Sequence, residues 1–97
     1  MHVISIKKLR EFWAVHADAE DALKAWFHEA EAASWGNSAE LKDKYGTASI
    51  ISSERVVFNI CGNKYRLVVR INYASGAVFV RFVDTHRKYD KIDAETI

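Results

Sequence analysis

The chain has no proline, one cysteine, one methionine and only four glycines in its 97 residues. Without proline there is no polyproline stretch and no stiff proline-rich linker to mark a domain boundary. The lone Cys61 cannot support a disulfide framework, so a cytoplasmic location is the expectation. Nothing in the sequence supplies a nucleophile's partner beside it, and it reads as a packing thiol. No apolar run approaches the ~20 residues of a membrane span. The apolar residues after Met1 are too few for a secretory core, and Lys7, Lys8 and Arg10 follow them rather than precede them. No glycine-rich phosphate loop, zinc-finger spacing or internal repeat is present. The four histidines, His2, His16, His28 and His86, fall on different expected elements, so no metal site and no cofactor is expected.

What is present is an ordinary globular composition, 49% apolar and 28% charged. The length sets one expected domain, residues 1–97, with one modest core. Net charge is +1, but residues 1–48 carry −2 and residues 49–97 carry +3. Between Glu54 and Arg81 lie five cations, Arg55, Lys64, Arg66, Arg70 and Arg81, with Glu54 the only acid. A sheet exposing several of them offers an anion-binding face, although a merely solvated face fits the same count.

Periodicity divides the chain in two. His2–Ile4 reads as a short opening strand. Ser5 can cap a helix from about Ile6 to His16, with Ile6, Leu9, Phe12 and Trp13 at helical spacing. Asp18 can cap a second, to about Ala33, with Leu23, Trp26, Phe27 and Ala30 on one face. Residues Ser38–Tyr45 fit one more short helical turn. After Gly46 the period becomes extended: Thr47–Ser52, Val56–Cys61, Tyr65–Tyr73 and Ala77–Thr85 read as strands, joined by Gly62-Asn63 and by Ala74-Ser75-Gly76. In the third, Tyr65, Leu67, Val69, Ile71 and Tyr73 face one way, and Arg66, Val68, Arg70 and Asn72 the other. The expected fold is α+β: an N-terminal helical hairpin packed on a mainly antiparallel sheet of about four strands, with the other face open and carrying Arg66 and Arg70. His2, Trp13, Trp26, Phe27 and Trp35 read as packing residues.

Three stretches carry a family resemblance: the opening MHVISIKKLREFW, the strand pair VFNICGNKYRLVVRINY from Val57 to Tyr73, and the ending Thr85-His86-Arg87-Lys88-Tyr89-Asp90. Together they resemble the HigB family of bacterial toxins. The resemblance implies a RelE-like microbial ribonuclease fold and metal-independent cleavage of mRNA, in many members on the translating ribosome. It also implies a HigA-like helix-turn-helix antitoxin as partner, with promoter DNA bound through that antitoxin.

Such chemistry needs a base for the ribose 2′-hydroxyl, an acid for the leaving 5′-oxygen and cations for the phosphorane-like transition state. His86, at the end of the last strand, is the candidate proton-transfer group. Tyr89, one helical turn on, can orient substrate, share the proton transfer or stack on a base; it also reads as a plug at the sheet edge. Arg66 is the preferred phosphate clamp, because a guanidinium grips two oxygens at once and the resemblance places an arginine there. Arg70 and Arg81 follow it, with one of these arginines able to pair instead with Glu54 or Asp84. Lys64, Asn59 and Lys91 are candidate RNA contacts, and Asp90 is a supporting residue or a cap. A non-catalytic RNA- or ribosome-binding protein is the rival reading, served by the same basic sheet and Tyr89. A co-repressor acting through a helix-turn-helix partner is the third.

Overall fold

The computed structural model describes residues 1–97. Strand β1 (His2–Ile4) leads into helices α1 (Ile6–Val15) and α2 (Glu20–Ala32), joined by a single 3₁₀ turn at Ala17–Ala19. Helix α3 (Ser38–Lys44) follows. Then come β2 (Ser49–Ile50), β3 (Arg55–Ile60), β4 (Tyr65–Asn72) and β5 (Ala77–Thr85), and the one-turn helix α4 (His86–Tyr89). The strands form one sheet in the order β1-β5-β4-β3-β2. β1 runs parallel to β5, and every other pair is antiparallel. The hairpin-on-sheet architecture is the expected one, with a fifth strand contributed by β1. No helix is long and apolar enough to cross a membrane.

Local chemistry explains most element ends. Ser5 caps α1, its hydroxyl accepting from the Lys7 N–H at 3.2 Å. α1 buries Leu9 and Phe12, and α2 buries Leu23, Trp26 and Ala30. One cap differs from expectation. Asp18 does not cap α2, whose first turn has no side-chain cap, because its carboxylate is held by Lys64 and Tyr65 across the fold. α3 is capped by Asn37: its Oδ1 accepts from the Glu40 N–H at 3.0 Å, while the Glu40 carboxylate accepts from the Gly36 N–H.

The expected strand Thr47–Ser52 shrinks to Ser49–Ile50. Lys42 donates to the Gly46 and Ala48 carbonyls, which removes that backbone from the ladder on one side. On the other side the Ile51 N–H turns back to the Arg55 carbonyl at 2.9 Å. The β3–β4 turn also sits a residue earlier than the sequence suggests, because its left-handed residues are Cys61 (φ 54°) and Gly62 (φ 64°). At the β4–β5 loop, Gly76 supplies the positive φ as expected (73°).

The core lies between the helices and one sheet face. Tyr65, Leu67, Val69 and Ile71 of β4 join Val56, Phe58 and Ile60 of β3, Val78 and Val80 of β5, and the helical Leu9, Leu23, Trp26 and Leu41. Trp35 is buried there too; Trp13 and Phe27 are half-buried against it, and His2 is exposed rather than packed.

The opposite face is not open along its length. Val57 and Val68, directly opposed across β3 and β4, are buried there under Ala94, flanked by Ile92 and Ile97 of the C-terminal segment. Covering a valine is worth about 1.5–3 kcal/mol, so an apolar pair at mid-sheet favours a cover. Arg55 fastens it by donating to the Ala94 carbonyl at 3.5 Å and to the Ile97 carbonyl.

A β-bulge then resets one strand. Val69 pairs with Val80 but Val68 pairs with Phe82, leaving Arg81 as the extra residue. Val78 and Val80 lie in the main core, and past the bulge the inward residue is Val83, while Phe82 joins the Val57–Val68 cluster. The shift of phase brings Asp84 opposite Arg66 on the outer face.

Candidate active site

At the end of β5 the chain turns once, and that turn gathers the Thr85-His86-Arg87-Lys88-Tyr89-Asp90 motif. Thr85 caps it, its hydroxyl accepting from the Lys88 N–H at 3.2 Å. The His86 N–H donates to the Lys64 carbonyl at 3.1 Å, which ties α4 to the β3–β4 turn. The Tyr89 ring lies 6.5 Å from the Phe82 ring and packs beside the outer cluster. Its face is 6.0 Å from the Arg66 guanidinium carbon, within cation–π range.

Arg66 is therefore held from two directions. Its Nη1 donates to the Asn63 carbonyl at 3.1 Å and the Tyr65 carbonyl at 3.3 Å, and its Nη2 to the Asn63 side-chain carbonyl at 2.6 Å. His86 Nδ1 stands 3.6 Å from the Asp90 carboxylate, beyond hydrogen-bond range but close enough to attract a protonated ring. Both side chains are about half exposed, at 48% and 57%. Lys88 Nζ lies 3.8 Å from the carboxylate of Asp84, itself opposite Arg66. Asn59 is the cross-strand partner of Arg66 on the other side, and its amide donates to the Thr47 carbonyl at 3.4 Å. One end of the sheet thus collects an imidazole, a phenol, a guanidinium and two carboxylates on an accessible surface. Such a set can grip an anion and exchange a proton beside it.

The other cations lie elsewhere or are engaged. Arg70, at the far end of β4, donates from Nε to Glu54 at 3.0 Å and stacks over Phe79 at 5.5 Å. Arg81, on the bulge, donates to the Ile97 carbonyl at 3.3 Å. Lys91 follows α4 with its side chain exposed. The sequence reading named Asp84 as a possible partner for an arginine, and missed Asn63 and Lys88 as members of this cluster. Only the i, i+3 spacing of Asn63 to Arg66 across a turn was a usable signal for either of them.

Lys64 pairs with Asp18, and the Tyr65 hydroxyl donates to the same carboxylate at 2.6 Å. The Cys61 thiol, half-buried at the core edge, meets the Asp18 carbonyl at 3.2 Å. The joint between α1 and α2 is thus tied to the turn that carries Asn63 and accepts from His86. The hydrogen bond from Lys64, and then that from Tyr65, hold the Asp18 carboxyl below its ordinary value. The same contact with Asp18 pushes the Lys64 ammonium up. A depressed carboxyl stabilises the fold above its unfolded pKa and loses that contribution as pH falls through the folded value. A raised ammonium stabilises below its unfolded pKa and loses that contribution as pH climbs through the folded value. Asp18→Asn should therefore lower the urea midpoint at neutral pH. Its deficit should begin to close as pH falls below about 4, the ordinary aspartate value, and should vanish only below the lowered value of the folded state. Midpoints of both proteins across that range check this, and a deficit independent of pH would mean that the Asp18 charge contributes nothing.

The family model HigB_toxin, the RelE-like toxic component of a toxin-antitoxin system, matches residues 19–92. That span runs from the end of the 3₁₀ turn through α4 and contains Asn63, Arg66, His86, Tyr89 and Asp90. No curated protein sequence matches the chain.

Proposed function

The chain belongs to the HigB_toxin family of RelE-like toxins, and from that premise we propose that it is an endoribonuclease that cuts mRNA during translation and so arrests growth. The observation that carries the reading is the convergence of His86, Tyr89 and Arg66 at one accessible end of the sheet. In this reading the ribose 2′-hydroxyl attacks the adjacent phosphate, forming the 2′,3′-cyclic ester and releasing the 5′-oxygen. Arg66 holds the scissile phosphate and offsets the charge that grows on it. His86 moves the proton from the 2′-hydroxyl towards the leaving 5′-oxygen, with the Asp90 carboxylate 3.6 Å from its Nδ1. Tyr89 backs Arg66 and offers its ring or hydroxyl to the substrate. Because the nucleophile is internal, no metal and no cofactor is needed.

An antitoxin is the expected partner, and a HigA-like helix-turn-helix protein carrying the pair to its promoter fits the reading. Lys64, Asn59 and Lys91 would border the RNA path, with Arg70 and Arg81 further along the sheet. Residues 1–97 would act as one toxin domain.

The test is single-turnover cleavage of ribosome-bound mRNA. The products should carry 5′-hydroxyl and 2′,3′-cyclic phosphate ends, persist in EDTA, and vanish when the scissile nucleotide is 2′-deoxy. Binding without cleavage would leave a ribosome-associated binder; cleavage that survives the 2′-deoxy substitution would exclude the internal nucleophile.

A second measurement ranks the arginines. Arg66→Gln should reduce the salt slope of single-stranded RNA binding by about 0.7. Arg70→Gln should reduce it by less, because Glu54 already offsets that charge. Equal slopes for wild type and Arg66→Gln would remove Arg66 from the phosphate path.

A further inference from the structure

We propose that Asn63 is a positioning residue that aims Arg66, so that one edge of its guanidinium faces the RNA phosphate with its full charge retained. The inference rests on the reading of Arg66 as the phosphate clamp. A guanidinium has five N–H donors. Three are engaged within the chain: two from Nη1, to the Asn63 and Tyr65 carbonyls, and one from Nη2, to Asn63 Oδ1. What is left is the Nε–H and the second Nη2–H. These lie on one edge of the plane and point in parallel, the geometry that grips two oxygens of a phosphate. The Tyr89 ring at 6.0 Å supports the guanidinium from its face.

The residue type matters. An arginine side chain free in solution carries about 2 kcal/mol of rotamer entropy, and fixing it beforehand removes that cost from binding. A carboxylate at position 63 would fix it as well but would cancel its charge. An amide carbonyl accepts the N–H and leaves the charge for the phosphate. Asn63 is exposed and lies in the turn whose Lys64 carbonyl accepts from the His86 N–H, so one turn sets both Arg66 and α4.

The experiment uses the full chain and a single-stranded RNA oligonucleotide with 2′-O-methyl groups, which binds without being cut. Asn63→Asp should weaken binding about tenfold at low salt, as expected for loss of one charge-assisted contact. The salt slope should fall by about 0.7, as though one cation were removed. Asn63→Ala should weaken binding by a smaller factor at an unchanged slope, because the charge of Arg66 remains. In an Arg66→Gln background, Asn63→Ala should have almost no further effect, because the group it positions is gone. A thermal melt of each variant controls for folding. Wild-type affinity and slope in Asn63→Asp would overturn the proposal, as would an equal loss from Asn63→Ala in both backgrounds, which would mean that Asn63 acts through the fold. If Arg66→Gln alone binds like wild type, the clamp reading fails and this inference falls with it.

Discussion

His86→Ala is expected to lower the single-turnover rate of mRNA cleavage by about 10²–10⁴, the usual contribution of a positioned acid or base. At 1.36 kcal/mol per tenfold, that is about 3–5 kcal/mol of transition-state stabilisation. The fold should hardly notice. The side chain is 48% exposed, and its nearest ionic neighbour, the Asp90 carboxylate, is 3.6 Å away. The bond to the Lys64 carbonyl comes from the His86 backbone N–H and survives truncation. Alanine is also the stronger helix former on a one-turn helix. A companion substitution separates roles. Tyr89→Phe keeps the ring against Phe82 and Arg66 and removes only the hydroxyl. A large loss there would assign the hydroxyl to proton transfer or a hydrogen bond; a small one would leave stacking. Cleavage by folded His86→Ala within a few-fold of wild type would mean that His86 is not the proton-transfer group, and Tyr89 with Lys91 would be the next pair to test.

Leu67→Ala is expected to cost about 2–5 kcal/mol of stability, the range for emptying a buried leucine site. Leu67 is fully buried on the central strand, with Phe58 and Val83 as its cross-strand neighbours. A domain of this size typically has 5–15 kcal/mol in total, so the loss is a large fraction (about 0.05–0.15 kcal/mol per residue is usual). The urea midpoint should fall with little change in slope. Below its melting temperature the variant should still cleave, because Arg66 points to the other face and its partners Asn63 and Tyr89 are untouched. A midpoint shift worth less than about 1 kcal/mol would show that the helices settle into the vacated space. Intact stability with lost cleavage would show that the core sets the site more tightly than the strand geometry suggests.

Leu67 lies on the buried face of β4 and His86 on the helical turn that follows β5, and the division of β4 into two faces is the most legible feature of the sequence. Strict alternation from Tyr65 through Ile71 identifies β4 and both of its faces. The helical spacing of Leu9 with Phe12, and of Leu23, Trp26 and Ala30, identifies the faces that cover it. The three-residue spacing from His86 to Tyr89 reads as one helical turn, and α4 has that form. These signals are carried by neighbours in the chain. Period, cap and turn are settled by steric and hydrogen-bonding preferences over three to four residues, so composition at that range suffices.

The rest of the site depended on groups far apart in sequence. Asp18 looks like a helix cap, but Lys64 and Tyr65, 46 and 47 residues away, hold its carboxylate instead. Arg70 looks as free as Arg66, but Glu54 lies beside it across the β3–β4 pair. The outer face looks open, because nothing in the alternation of β4 says that Ala94 will close over Val57 and Val68. The bulge at Arg81 decides that Asp84 rather than Val83 faces Arg66, and a uniform alternation through β5 would have reversed the two. The sequence by itself determined the helices, the strand faces, the turn that presents His86 and the resemblance that points to RNA. Only the tertiary structure decided which cations are already paired, which part of the sheet is covered and which edge of Arg66 is left free. The physical reason is that a charge or a guanidinium edge is satisfied by whatever acceptor lies within about 3 Å, and folding brings such acceptors close without regard to their separation along the chain.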